Sequence, residues 1–403
     1  MSDGSDDVGR KVVGALVVLS LAALAVFGPR PDSDSRCKEL HRGLAAVRNA
    51  VLAYSDGGSL VVISPDGSRR RFLIPTPGVG AHVSPAWSPD GNRLAFIYAP
   101  ECNLLGQRAY RVAPGSHGLQ LVHASLSGED TAVSLSDASC QDAAAPPHRC
   151  PVEGIYIMKS DGAEPRLLHP DPEIWNGFGM AWSPDGGSLL YTSDGHVCLL
   201  NPDDPEPSPT RLVRARGGSF GPDLERAPGF QGYLAYQELP HDVAAVRLEI
   251  PPQGPVTVKN TRHELQLPGV QDAPAFSPDG RRIAFLEGAR AAMHRNLYVV
   301  DVRYGSDGSV EFGEPRCVVR DRPLRGLISW SPDGRYLTLG MGDNEVGFGK
   351  AIKLCHVTLD GVLLTLSPDG YSRMAATPSW SPAWHPRLVR RWTGAPIRQA
   401  RLR

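Results

Sequence analysis

Ala86-Trp87-Ser88-Pro89-Asp90-Gly91 returns along the chain as Ala181-Trp182-Ser183-Pro184-Asp185-Gly186, Ala275-Phe276-Ser277-Pro278-Asp279-Gly280 and Ser329-Trp330-Ser331-Pro332-Asp333-Gly334. Each copy runs into a short β-prone stretch, at 93–97, 188–192, 282–286 and 335–339. The phrase therefore joins two strands. Pro presets φ for the second position of a type I turn, Asp suits the third, and Gly takes the left-handed conformation that closes a bulged hairpin. The aromatic residue before the turn lies on the incoming strand, where a large flat side chain can pack on a neighbouring sheet. These aspartates read as turn residues, not as catalytic carboxylates.

Beyond the hairpin each unit carries a second apolar run and turn. Residues 155–162 lead to 166–168, 197–200 to 211–213, and 297–301 to 317–319, so a unit has four strands, A to D. Four antiparallel strands repeated at this period predict a β-propeller, whose blades hide their faces only by stacking on one another. The serine anchors at 88, 183, 277, 331 and 381 are unevenly spaced. A degenerate unit, with Phe220-Gly221-Pro222-Asp223 in place of the phrase, fills one long gap; residues 99–153 fill the other and read as a long loop between strands B and C. The first unit, from Ala50, lacks strand A, and the last, Pro378-Ser379-Trp380-Ser381-Pro382, has only strand A. Together they complete one blade and leave no open edge. The expectation is an all-β, six-bladed β-propeller closed by pairing of N- and C-terminal strands, with seven blades as the alternative.

The aromatic-Ser-Pro-Asp-Gly phrase followed by an Ile-Ala-Phe type strand resembles the WD40-like, TolB-type (PD40-type) propeller repeat over residues 48–386. The resemblance implies a module that works by binding other envelope proteins, or a propeller that accompanies a hydrolase domain. The chain departs from both patterns: it leaves no room for the N-terminal α/β domain of TolB, and only a short tail follows the propeller.

The 403 residues carry 42 basic and 43 acidic side chains, a net charge of -1, which argues against a nucleic-acid partner. Residues 12–28 are uncharged and apolar, at the short end of what spans a bilayer, with Ala23-x-Ala25 as a candidate cleavage site. The expected organisation is a short cytoplasmic N-terminus (1–11), a hydrophobic helix serving as transmembrane anchor or signal peptide (12–28), a linker (29–47), the propeller, and a basic tail (387–403). This places an extracytoplasmic propeller at the cell membrane, or secreted after cleavage. Cys102, Cys140 and Cys150 share one irregular segment and could supply a disulfide, whereas Cys198, Cys317 and Cys355 sit in apolar runs as small hydrophobes.

Motifs that carry chemistry are scarce. Gly217-Gly218-Ser219-Phe220-Gly221 has the spacing of a nucleophile elbow but no helix pattern after it. His263-Glu264 lacks the second histidine of a zincin, and no metal or cofactor is expected. A propeller's functional surface lies at the mouth of its channel, where this register places His82, Asn176, Arg216, Asp272 and Arg325. Asp56, Glu101, Asp194, Glu238, Glu287 and Asp343 follow strand B in six units and form a candidate acidic rim. The reading is a monomeric, non-enzymatic protein-binding or scaffold module whose partner is an envelope protein or peptide. Its rivals are a lactonase-like metal-dependent hydrolase and a cell-wall glycan binder.

Overall fold

Among the described residues five antiparallel sheets make up the main body, each with an edge strand that ends in an aromatic residue just before a serine, and a sixth, three-stranded sheet stands apart. The structure, a computed structural model, describes residues 44, 47, 49–74, 81–99, 109–111, 120–124, 130–134, 152–174, 179–221, 230–238, 242–250, 257–258, 263–265, 269–288, 294–307, 309–342, 352–366 and 378–382. The chain divides into Met1–Gly43 and Leu44–Arg403, and the described residues all belong to the second part. The apolar stretch 12–28, the linker before residue 44 and the basic tail lie outside them. Among the described residues no helix is long and apolar enough to cross a membrane.

Strands β1 (Leu52–Asp56), β2 (Ser59–Ile63) and β3 (Arg70–Ile74) form a meander, and β4 (Ala81–Trp87) and β5 (Arg93–Ala99) form the hairpin around Ser88. Between β5 and its next partner the chain makes a small separate sheet of β6 (Ala109–Arg111), β7 (Gln120–Ala124) and β8 (Asp130–Ser134). It then returns as β9 (Gly154–Lys159), beside β5, and β10 (Arg166–Pro170). The next sheet has eight strands: β11 (Met180–Trp182), β12 (Leu189–Ser193), β13 (His196–Leu200), β14 (Thr210–Gly221), β15 (Phe230–Glu238), β16 (Asp242–Ile250), β17 (Thr257–Val258) and β18 (His263–Glu264). Five strands follow, β19 (Gln271–Phe276), β20 (Arg282–Glu287), β21 (Arg295–Tyr304), β22 (Val310–Phe312) and β23 (Arg316–Arg322). Next come four, β24 (Leu324–Trp330), β25 (Tyr336–Met341), β26 (Lys353–Thr358) and β27 (Leu363–Thr365), and finally β28 (Ser379–Trp380).

The last strand returns to the first. Leu52 lies opposite Trp380 and Ala53 opposite Ser379. Ser381 N donates to Val51 O at 2.8 Å, and Val51 N donates to Ser381 Oγ at 2.9 Å across 330 positions of sequence. Strands β28, β4, β11, β14, β19 and β24 touch in that cyclic order, so the sheets form a closed ring, a β-propeller.

The sheet count corrects the sequence expectation: among the described residues the ring is built of five sheets, not six or seven. The reason is β14. Its first half, through Arg214, pairs with β13, and its second half, from Ala215, pairs with β15. One uninterrupted strand thus ends one repeat unit and starts the next, and two units share a sheet. Gly217–Gly221 belongs to this strand and does not form a strand-to-helix elbow.

Each anchor phrase builds the same polar lock. Ser88, Ser183, Ser277 and Ser331 are at most 1% exposed. Their hydroxyls donate to the aspartate two residues on, at 2.5–2.6 Å. The same oxygens accept the backbone N–H five residues on, at 2.9–3.0 Å. The glycine N–H closes the turn on the serine carbonyl at 2.8–2.9 Å. Burial works against ionisation of Asp90 and Asp279, but hydrogen bonds from the serine hydroxyl and the turn backbone outweigh it and hold both carboxyls below their usual range.

The tryptophans tie neighbouring units together. Trp182 Nε1 donates to Ala86 O, and Trp330 Nε1 donates to Ala275 O, each at 2.9 Å. Arg93 lies 4.6 Å from the Trp182 ring centre and donates to Gly186 O; Arg282 lies 5.0 Å from the Trp330 ring and donates to Gly334 O. The apolar core follows the same logic, since its clusters combine residues of adjacent units, such as Ala86 and Ile97 with Trp182 and Leu189. Cys198 and Cys355 are buried among them, and burial pushes the Cys355 thiol up to about 12. Trp330→Phe keeps most of the packing but leaves the buried Ala275 carbonyl without its donor. It is expected to cost about 1–3 kcal/mol, read as a lower urea midpoint with unchanged slope.

Candidate functional site

The Ser-Pro-Asp-Gly turns mark one end of the ring, and antiparallel geometry sends the starts of the innermost strands, with the β1–β2 and β12–β13 turns, to the other. Register places Ala81 opposite Ala99, Gln271 opposite Glu287 and Leu324 opposite Met341. His82, Asp272 and Arg325 therefore lie at the same end as Asp56, Asp194 and Glu287. This end is the candidate docking face.

His82 is 6% exposed and built into the frame. Its backbone N–H and its Nδ1 both meet Gly58 O, at 3.0 and 3.1 Å, and a carbonyl partner puts the ring proton on Nδ1. The ring packs edge-on to Phe96 at 5.4 Å, and burial holds the imidazole below its usual value despite the Gly58 bond. His82 thus fastens the start of β4 to the β1–β2 turn.

Asp272 is also spent internally. Its Oδ2 lies 3.1 Å from Arg295 Nη2, with both side chains at most 3% exposed. Its Oδ1 accepts from Ala273 N at 2.7 Å, and Arg295 Nε donates to Gly288 O at 3.2 Å. Beside it, buried Gln271 accepts from Val243 N at 3.2 Å and donates to Leu265 O at 3.0 Å, while Gln237 Nε2 donates to Gln271 O at 2.8 Å. Arg325 is half-buried, which lowers its pKa, and its Nη1 donates to Leu324 O at 3.0 Å. Inner strands β4 and β19 bulge next to these residues, with left-handed backbone at Ser84 (φ 50°) and Ala273 (φ 54°).

The candidate rim carries local partners of its own. Asp56 pairs with Arg70, Asp194 with Arg211 at 3.0 Å, and Glu287 Oε2 accepts from Asn296 at 2.6 Å. The structure brings Asp272 and Glu287 to neighbouring rungs of one sheet and leaves Asp56 and Asp194 on two others. Arg216 and Glu238 lie on the paired strands β14 and β15, with Arg216 opposite Gln237 and Ala215 opposite Glu238; their side chains are outside the described parts. Asn176, Glu101, Asp343, Cys102, Cys140 and Cys150 lie outside the described residues.

Sequence reasoning missed an acidic group on the same face. Asp171 N donates to Glu153 O at 3.1 Å, and Glu173 N donates to Asp171 Oδ1 at 2.9 Å. Burial first, then the charges of Asp171 and Glu173, push the Glu153 carboxyl up to about 7, so it can hold a proton near neutrality. Glu153 precedes β9 and Asp171 follows β10; without the pairing of those two strands, nothing in their 18-residue separation announces proximity. Among the described residues no group of three or more His, Cys, Asp or Glu side chains is arranged to hold a metal ion.

Removing one member of the buried ion pair strands the other charge. Asp272→Ala is expected to cost about 3–5 kcal/mol, and adding Arg295→Met should recover much of that loss. A urea-denaturation double-mutant cycle checks the coupling, and additive losses would show that the pair contributes nothing.

No protein-family model matches the chain. The uncharacterized protein Atu1656 of Agrobacterium fabrum is 28% identical over 158 residues, 38% of this chain and 50% of that protein. The chain thus spans about half the length of that curated relative. Among solved structures, TolB from Acinetobacter baumannii superposes with a TM-score of 0.50 at 15% identity, covering 83% of this chain and 67% of that one. An oligogalacturonate lyase in complex with manganese superposes with a TM-score of 0.37 at 12% identity, over 77% of this chain and 82% of that one. At such identities a superposition speaks for the fold alone. The ring of antiparallel sheets is a TolB-like β-propeller.

Proposed function

We propose that this propeller is a non-enzymatic protein-binding module of the cell envelope, tethered or exported through residues 12–28, with the mouth face as its docking surface. One observation carries the reading: His82 and Asp272 are buried and engaged with Gly58, Arg295 and Ala273. Side chains so engaged hold a surface in a fixed shape and do not converge on a reacting atom. The TolB-like fold supports the same reading at a coarse level, since one architecture serves many functions. Half-buried Arg325 is the residue of this face suited to meeting a partner's carboxylate.

A metal-dependent hydrolase is the second reading, and Glu153 favours it, because a carboxyl that holds its proton near neutrality can act as a general acid. Full-length protein in detergent, immobilised and exposed to an envelope extract, separates the two. The binding reading expects a protein retained by the native chain and at least fivefold less by Arg325→Glu. Stoichiometric divalent metal in the purified chain, together with lactone hydrolysis lost in Glu153→Gln, would replace it with the enzyme.

A further inference from the structure

The seam where the ring closes holds a buried hydrogen-bond chain drawn from four separate parts of the sequence. Trp380 Nε1 donates to Thr338 Oγ1 at 2.8 Å, Thr338 Oγ1 lies 2.7 Å from His356 Nδ1, and His356 Nε2 lies 2.8 Å from Pro65 O. A carbonyl oxygen only accepts, so Nε2 carries the proton and Nδ1 accepts from the Thr338 hydroxyl. Every member is satisfied when the imidazole is neutral. Thr338 and His356 are fully buried, and the Trp380 ring stacks on His356 at 5.3 Å with 22° between planes. Pro65 lies in the β2–β3 turn of the first sheet, Thr338 and His356 belong to the last full sheet, and Trp380 to the closing strand β28.

We propose that this chain of bonds is an acid-sensitive latch: a proton taken up from solvent by His356 Nδ1 loosens β28 from β1 and opens the propeller at its seam. Protonation turns Nδ1 from acceptor into donor. Thr338 already receives the Trp380 N–H, so its own hydrogen loses its acceptor in a buried site. The new charge sits among Thr338, Pro65, Tyr336 and Trp380, all uncharged. The titratable groups nearby do not offset it. The Tyr336 ring lies 6.3 Å away, the Cys355 thiol is turned to Leu339 O, and the Asp66 carboxylate of the β2–β3 turn is engaged by Ser64 and Ser68. The β28 strand itself brings Ser379 and Trp380, and Ser381 follows it.

Burial lowers the imidazole pKa from 6.5 to about 4, against a smaller opposing effect of the Pro65 bond. The open seam therefore binds the proton more tightly than the closed one. Closure is at full strength above about pH 6.5 and weakens as pH falls toward 4, by about a hundredfold in the opening equilibrium.

Hydrogen exchange on the full-length protein, corrected for the intrinsic pH dependence of exchange, tests this directly. Between pH 7 and pH 4 protection in β1 and β28 should fall about a hundredfold more than in β20 and β21, and His356→Gln should abolish that difference. Equal loss around the ring, or the same differential in His356→Gln, would overturn the latch. Should that variant fail to fold, the imidazole 15N shifts of the native protein decide. An Nε2–H tautomer persisting below pH 5 and titrating with seam opening supports the proposal, and a midpoint near 6.5 with the seam intact overturns it.

Discussion

A serine hydroxyl with nowhere to go but its own turn is the constraint on which the ring depends. Each anchor serine is removed from water, and a buried hydroxyl must find partners or cost stability. The aspartate two residues on and the backbone N–H five residues on supply them, which fixes the hairpin that joins the two innermost strands of a unit. Fixing that hairpin fixes the aromatic residue just before it. Its ring lands on the preceding unit, and where it is Trp182 or Trp330 its N–H finds a carbonyl there. Local turn chemistry thereby becomes long-range geometry, since the angle between neighbouring units follows from where the indole reaches.

That chain of causes explains what could be read from the sequence. Four near-identical phrases announced the hairpins, and the unmatched first and last units announced the closure that Leu52 and Trp380 make. The join at β14 was hidden for an equally physical reason. Arg211–Val213 and Phe220 belong to two different units by pattern, with glycines between them that ordinarily punctuate a loop. In the structure Gly217 and Gly218 lie in one continuous strand, which changes partner from β13 to β15 between Arg214 and Ala215 and bulges just beyond, between Arg216 and Gly218.

The mouth was legible as a place and not as a set of contacts. Period and register give His82 and Asp272 their places near the starts of β4 and β19, because position along a strand is a property of the pattern. What those side chains do depends on residues far away in sequence. Gly58 engages His82 and Arg295 engages Asp272, and neither pairing leaves a spacing to recognise. Glu153 was missed for the same reason, its altered proton affinity arising first from burial in the folded chain and then from the carboxylates of Asp171 and Glu173 beyond the β9–β10 hairpin. Polar residue types alone overstate how many groups of a propeller mouth are available to a ligand.

The two ends of the ring therefore carry different physics. At the turn end, nearly every polar group serves the hairpin that holds it, and one solution is repeated unit after unit. At the mouth end the solutions differ from place to place: the sheet of β4 and β9 carries an imidazole bonded to a turn carbonyl and, at the start of β9, a proton-holding carboxyl, whereas the sheet of β19 carries a buried ion pair. A repeated framework needs the same lock everywhere, whereas a face that recognises one partner needs to be unlike itself around the ring. The proposed docking at the mouth face draws on that asymmetry, while the repeated serine locks of the opposite face hold the wheel together.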